Sequence, residues 1–282
     1  MAFQVITIRK NRSMITVTSL SIYPVKSLGG IRLQSTFVDS FGLQQDRRWM
    51  VVDADKRFLT QRQQARMCLI STRRTESGIE LSANGMASID VVAANATSTN
   101  GNLTTVQIWQ DSCDAADCGD KAAQWLSKFL HIDCRLVYFP DDGVRPVDVD
   151  YARPDDRTAF SDGFPILLTS EASLADLNER IEVPLEMQRF RPNIVVGGCE
   201  AYAEDNWRTL KIGEITFRVV KPCSRCGIPN INPLTADKEQ EPSKALISYR
   251  RRDGKIFFGQ NLIANEQGNI TTGLSVEILE AK

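Results

Sequence analysis

The sequence predicts an α+β fold that is mostly β: a barrel or strongly curved sheet with a few packed helices. Three observations carry this. Short apolar, β-branched runs recur along the chain between Gly, Asn and Asp turns. Helical spacing occurs in only three places. The composition, 42% apolar and 24% charged over 282 residues, is that of a globular chain rather than a disordered one.

The elements follow in order. Ile15 to Tyr23 is dense in β-branched residues, with Leu20 and Ile22 alternating with serines, and Pro24 ends it. Ile31 to Val38 reads as a second strand before a Ser40-Phe41-Gly42 turn. Trp49 to Val52 and Phe58 to Thr60 form a hairpin around Asp53-Ala54-Asp55-Lys56. Short strands follow at Cys68 to Ser71, Ile79 to Leu81, Ala87 to Val92 and Val106 to Trp109. A helix runs from Cys118 to Leu130, where Ala122, Trp125, Leu126 and Phe129 share one apolar face. Cys134 to Phe139 returns to strand. Pro140 to Asp156 is polar and aperiodic, a domain boundary or a long functional loop. The predicted domains are therefore 14–139 and 140–282. A buried strand, Pro165 to Leu168, leads into a helix starting near Ser170, with Leu174, Leu177 and Ile181 facing inward. Strands at Ile194 to Val196, Ile215 to Val220, Ile256 to Phe258 and Leu274 to Leu279 complete the chain, with one helix at Ser243 to Arg251.

Charge and rare residues narrow the function. Lys plus Arg total 34 and Asp plus Glu 35, a net charge of −1, which excludes a broadly basic nucleic-acid binder but allows a local basic pocket. The single histidine, His131, is the only one available to a Ser-His-Asp triad, and a His-rich metal site cannot be built. No apolar run of about 18 residues exists, so no membrane-spanning helix is expected. Met1 to Arg12 does not read as a secretory signal, and the strand pattern opens at Met14, so either methionine serves as a start. Seven scattered cysteines are no disulfide framework. A cytoplasmic protein is expected.

Several segments carry chemistry. In Lys221-Pro222-Cys223-Ser224-Arg225-Cys226, the two-residue gap lets both sulfurs approach one site, and adjacent cations favour a thiolate. Two buried bystander thiols are the competing reading. Zinc and iron–sulfur clusters want four ligands, and no second C-x-x-C exists. A site needing one protein thiolate, with the other ligands from a cofactor, suits the chain best. Pro24-Val25-Lys26-Ser27-Leu28-Gly29-Gly30 can hold an anion but lacks P-loop order; an exposed turn lysine is the commoner case. In Asp46-Arg47-Arg48-Trp49 the two arginines point to opposite faces, one at the surface and one free to fork onto a phosphate or carboxylate; a rim salt bridge to Asp46 competes. In Phe190-Arg191-Pro192-Asn193 an arginine enters a cleft at a strand start, or the pair caps backbone. Arg250-Arg251-Arg252 reads as a solvated helix end.

Together with Thr60-Gln61-Arg62-Gln63, Ser170-Glu171-Ala172-Ser173-Leu174, Glu204-Asp205-Asn206-Trp207 and Phe258-Gly259-Gln260-Asn261, these segments stand in the order expected of MOSC proteins, relatives of the molybdenum cofactor sulfurase C-terminal domain. The chain from Met14 to Lys282 resembles that family, nearest to its amidoxime-reducing branch. The resemblance implies a MOSC β-barrel, an N-terminal MOSC-type β-barrel-like module, and a molybdenum cofactor (Mo-molybdopterin) between them. It makes Cys226 the metal ligand. It assigns Lys26, Ser27, Arg47, Arg191, Asn193 and Ser224 to the pterin and its phosphate, and Asp162 to the active-site loop. It implies reduction of N-hydroxylated compounds, such as amidoximes and hydroxylamino-purines, by oxygen-atom transfer to molybdenum. Electrons would come from a partner flavoprotein or iron–sulfur protein, with neither a nucleic-acid polymer nor a membrane as partner. A family-level association with pyridoxal phosphate comes with it.

The residues and the resemblance converge. A phosphate-tailed cofactor needs a cationic cradle in a near-neutral chain, which Lys26, Arg47 and Arg191 supply from three strand ends. The cofactor's dithiolene leaves one soft donor to the protein. Asp162 is the expected proton donor, or it caps a turn. Two other classes stay open: a non-enzymatic cofactor or sulfur-carrier module, and a thiol redox or metal-binding protein built on Cys223 and Cys226.

Overall fold

A computed structural model describes residues 14–93 and 103–282; the readings on residues 1–13 lie outside it. Its largest sheet runs, neighbour to neighbour, through Val276–Ala281, Trp207–Ile212, Ile215–Ser224, Lys255–Ala264, Ile166–Ser170, Ile194–Gly197, Thr16–Ile22 and Ile31–Leu33. Only the pair Ile166–Ser170 and Ile194–Gly197 is parallel along this path. The path closes on itself. Thr16 bridges Ser275, the Val17 N–H donates to the Leu274 carbonyl at 2.9 Å, and the Val276 N–H donates to the Ile15 carbonyl at 2.8 Å. All but Ile31–Leu33 thus form a barrel, which removes the open edges. Its interior is filled by buried Leu20, Ile166, Val196, Leu210, Phe217 and Leu262. The first strand among the described residues, Thr16–Ile22, is therefore a stave of a barrel otherwise built from the C-terminal half.

The N-terminal half adds an antiparallel sheet in the order Trp49–Asp53, Cys134–Tyr138, Asp111–Asp117 and Leu103–Ile108. A meander of Ser71–Arg74, Gly78–Ser82 and Ile89–Val92 lies beside it. The helix Asp120–Leu130 lays its predicted apolar face against Trp49, Leu81 and Leu136. Asp117 accepts from the Gly119 N–H at its start, at 2.7 Å, and His131 stops it in the left-handed region at φ 58°. His131 is exposed and sits at a helix end, so no triad forms on it.

The second helix, Glu171–Asn178, begins as expected: the Ser173 N–H donates to the Ser170 hydroxyl at 3.2 Å. Both hydroxyls donate in turn to the buried Glu204 carboxylate, at 3.0 and 2.8 Å. The third helix is Ser243–Tyr249. Several expectations differ. The single strand expected over Ile31 to Val38 is two: Ile31–Leu33 pairs with Thr16–Ile22, and Ser35–Asp39 pairs with Gly268–Thr271, itself a strand the pattern did not reveal. Cys68 to Ser71 holds the end of a 3-10 turn, Ala65–Leu69, before its strand. Asp111–Asp117 and Trp207–Ile212 are strands the pattern did not reveal. No helix among the described residues is long and apolar enough to cross a membrane.

Candidate functional site

Backbone geometry aims the site. The strand Ile215–Ser224 slips register between Val219 and Lys221 and again between Pro222 and Ser224. Such bulges re-aim a strand end, and this one delivers Ser224, Arg225 and Cys226 past the barrel rim. Ser27, Arg47 and Arg191 adopt positive φ of 68°, 48° and 55°. Non-glycine residues rarely sit there, and those that do cluster where function demands it. Gln61, from the Thr60-Gln61-Arg62-Gln63 segment, fixes one of these turns by donating to the Ser27 carbonyl at 2.7 Å.

The result is one cleft of about 140 Å³. Lys26, Ser27, Arg47, Asp162, Arg191, Asn193, Ser224 and Cys226 all line it, from segments far apart in sequence. Cys226 is exposed, not sealed in hydrocarbon. Cys223 is half-buried, and Arg225 Nη1 donates to its sulfur at 3.1 Å. The two thiols therefore occupy different environments.

The cationic wall is a buried network. Arg47 Nη1 donates to Asp46 at 2.5 Å and to Asn193 Oδ1 at 3.0 Å, and Nη2 to the Arg191 carbonyl at 3.2 Å. Asp46 also accepts from the Tyr23 N–H at 2.7 Å. The salt bridge to Asp46 and the cleft-facing role thus coexist. Burial pushes the Asp46 carboxyl up, against the pull of Arg47. Asn193 Oδ1 also accepts from the Leu167 N–H at 3.1 Å, and its Nδ2 donates to the Ser21 carbonyl at 3.2 Å. Most of its capacity is spent on protein, which makes it a support for Arg47. One of the two arginines is expected at the surface, and neither Arg47 nor Arg48 is there. Arg48 takes another place. It is buried against Phe41 and Tyr138 and donates to the Phe139 carbonyl and Asp141.

Lys26 and Asp162 form the opposite wall. Lys26 Nζ donates to Asp162 at 2.5 Å and to the Phe160 carbonyl at 2.8 Å, leaving one N–H for a ligand. Burial lowers its pKa, and Asp162 acts against that. For Asp162, desolvation acts upward, but Lys26, Arg62 and the Trp109 indole N–H outweigh it and hold the carboxyl well below the usual range. The expected proton donor is therefore ionised at neutral pH, and in this state it accepts hydrogen bonds rather than giving a proton. Its side chain is 58% exposed, so its free oxygen can serve a ligand.

Two buried guanidinium donors that border the cleft lack any protein acceptor: Arg191 Nη2 and Arg225 Nε. An unmet buried N–H is costly, and an anion on this wall would meet it. Among the described residues no cluster of three or more His, Cys, Asp or Glu could hold a metal ion. An anionic cofactor carrying its own sulfur donors, and needing one thiolate, fits this set. Pyridoxal phosphate finds no support, because the cleft lysine is engaged by Asp162 and Phe160. Sequence reasoning left Tyr23, Asp46 and Gln61 out of the site. Tyr23 had one available signal, the Gly29-Gly30 pair beside a strand end.

Comparison with known proteins identifies the family. Residues 14–133 match the model of the MOSC N-terminal beta barrel domain, and residues 155–277 that of the MOSC domain. Human mitochondrial amidoxime-reducing component 1 is 36% identical over 94% of this chain and 83% of its own length. The mouse protein of that name is 35% identical, covering 96% and 84%. Bovine mitochondrial amidoxime reducing component 2 is 35% identical, covering 87% and 75%. These names correct the cytoplasmic expectation: they point to mitochondria. Free cysteines separate reducing from oxidising compartments, not one reducing compartment from another. The chain belongs to the MOSC-domain family.

Proposed function

We propose that this chain is a molybdenum-cofactor-dependent, mitochondrial reductase of N-hydroxylated compounds, amidoximes and hydroxylamino-purines among them. The observation that carries the reading is the pairing, in one cleft, of an exposed thiol with buried guanidinium donors that have no acceptor. The names of the relatives support the substrate class.

In this reading Cys226 is the one protein ligand of the metal. Arg47, Arg191 and Arg225 hold the anionic end of the cofactor, with Ser27, Ser224 and the last Lys26 N–H as further donors. Asn193 keeps Arg47 in place. When bound, the cofactor supplies the two-electron, oxygen-accepting chemistry, with electrons from a flavoprotein or iron–sulfur partner. The chain supplies orientation, charge and exclusion of water. The ionised Asp162 orients the substrate by accepting from an N–H or N–OH group, and the reaction's protons come from water.

The test is molybdenum, pterin and zinc analysis of protein from a cofactor-competent host, followed by turnover of an aromatic amidoxime with a chemical reductant. Molybdenum near one per chain with amidine formation supports the reading. Molybdenum without turnover means a cofactor or sulfur-carrier module. One zinc per chain without molybdenum overturns the reading in favour of a thiol–metal protein.

A further inference from the structure

We propose that Tyr23 is a positioning residue whose ring sets the spacing of the Arg47 and Arg191 guanidinium groups, so that the pair can close on a phosphate-type oxyanion. The inference deepens the proposed function and rests on it for the identity of the natural anion.

Both guanidinium carbons lie against the buried Tyr23 ring, Arg47 at 4.4 Å and Arg191 at 4.2 Å from its centroid. The two cations repel, since the charge of Arg47 acts against that of Arg191, and the ring is what both touch. A π-face attracts each cation, and more so away from water. The nearest acid, Asp46, is spent on Arg47 and the Tyr23 N–H. Arg191 has one protein acceptor for Nη1, the Leu28 carbonyl at 2.7 Å, and none for Nη2. Burial, then Arg47, lowers its pKa to about 10. A tetrahedral oxyanion matches the fork of N–H groups that such a pair presents.

The ring is itself held firmly. Its hydroxyl donates to the Pro192 carbonyl at 3.3 Å, next to Arg191, and its N–H is anchored on Asp46. A methyl group at Gly30 would sit 2.5 Å from the ring edge, so glycine at this position leaves the tyrosine its place. The ring acts through the arginines and need not touch the anion.

The experiment measures inorganic phosphate binding to cofactor-free protein by calorimetry, and molybdenum content of protein made in a cofactor-competent host. The variants are Tyr23→Phe, Tyr23→Leu, Gly30→Ala, and Val38→Ala as a control buried in the barrel core. Tyr23→Phe should bind phosphate within about twofold of the parent, because the ring remains. Tyr23→Leu and Gly30→Ala should weaken binding about tenfold or more and lower molybdenum content. Val38→Ala should lower the melting temperature and leave affinity unchanged. Parental phosphate affinity in folded Tyr23→Leu overturns the proposal; if that variant does not fold, the same result in Gly30→Ala overturns it. If the parent holds no molybdenum while phosphate affinity still follows Tyr23, the reductase reading falls and the positioning role stands.

Discussion

Removing the buried carboxylate behind the arginine wall, by Asp46→Ala, should be among the costlier single changes near the cleft. The Asp46 and Arg47 side chains are only 1% and 14% exposed, so water cannot replace the lost contact. Deletion leaves the Tyr23 N–H without its acceptor, which costs about 1–3 kcal/mol. It also breaks a buried ion pair, typically about 3–5 kcal/mol, which includes the cost of the stranded cation. Arg47 keeps Asn193 and the Arg191 carbonyl, which limits the loss. A net of about 4 kcal/mol follows, or about 10 °C in melting temperature for a chain of this size. Asp46→Asn should cost about half as much, since one acceptor survives and burial already disfavours the charge. Urea unfolding of the cofactor-free protein at pH 7 reads these values. A loss below about 1 kcal/mol for Asp46→Ala, or equal losses for both variants, would refute the claim that the carboxylate organises this wall.

Two further outcomes test other parts of the molecule. Burial raises the Glu204 carboxyl above its ordinary 4.5, against the Ser173 and Ser170 hydroxyls, so the native state binds the proton more tightly. That contribution is fully present below the unfolded value and is lost as pH rises through the folded one. Glu204→Gln should therefore flatten the fall in stability above about pH 4.5, as read by melting curves from pH 4 to 8; an unchanged profile would show that Glu204 does not titrate there. Alkylation by iodoacetamide at pH 8, followed by peptide mass spectrometry, should modify Cys226 first. Cys113 and Cys118, pushed up to about 11 and about 12 by burial, should react last. Early loss of the Cys118 thiol would contradict the packing of the helix it precedes.

Local signals made much of the fold legible. Alternation at Leu20 and Ile22, the one-sided face of Asp120–Leu130 and a helix start near Ser170 all occur as read. Asp111–Asp117 escaped because its buried residues are only Cys113, Ala115 and Ala116, small residues among acids. Trp207–Ile212 escaped because register shifts at Trp207/Thr209 and Thr209/Leu210 break the period of two. Barrel closure between residues 15–17 and 274–276 is a pairing across the whole chain, which no local pattern encodes. At the site, Lys26, Ser27, Arg47, Asp162, Arg191, Asn193, Ser224 and Cys226, the residues assigned to it in sequence, line one cleft. What stayed hidden was partnership. That Lys26 is spent on Asp162, and that Tyr23 lies against two arginines, depends on side-chain directions fixed by left-handed turns at Ser27, Arg47 and Arg191.

The proposed function requires one thiolate, Cys226, at the reaction centre, while its neighbour Cys223 only anchors Arg225. The most direct measurement compares amidoxime reduction by the parent, Cys226→Ser and Cys223→Ser, each reduced chemically and normalised to its molybdenum content. No turnover is expected for Cys226→Ser, and a substantial fraction of parental turnover for Cys223→Ser, whose hydroxyl can still accept from Arg225. Equal loss in both variants would contradict it and point to a dithiol mechanism.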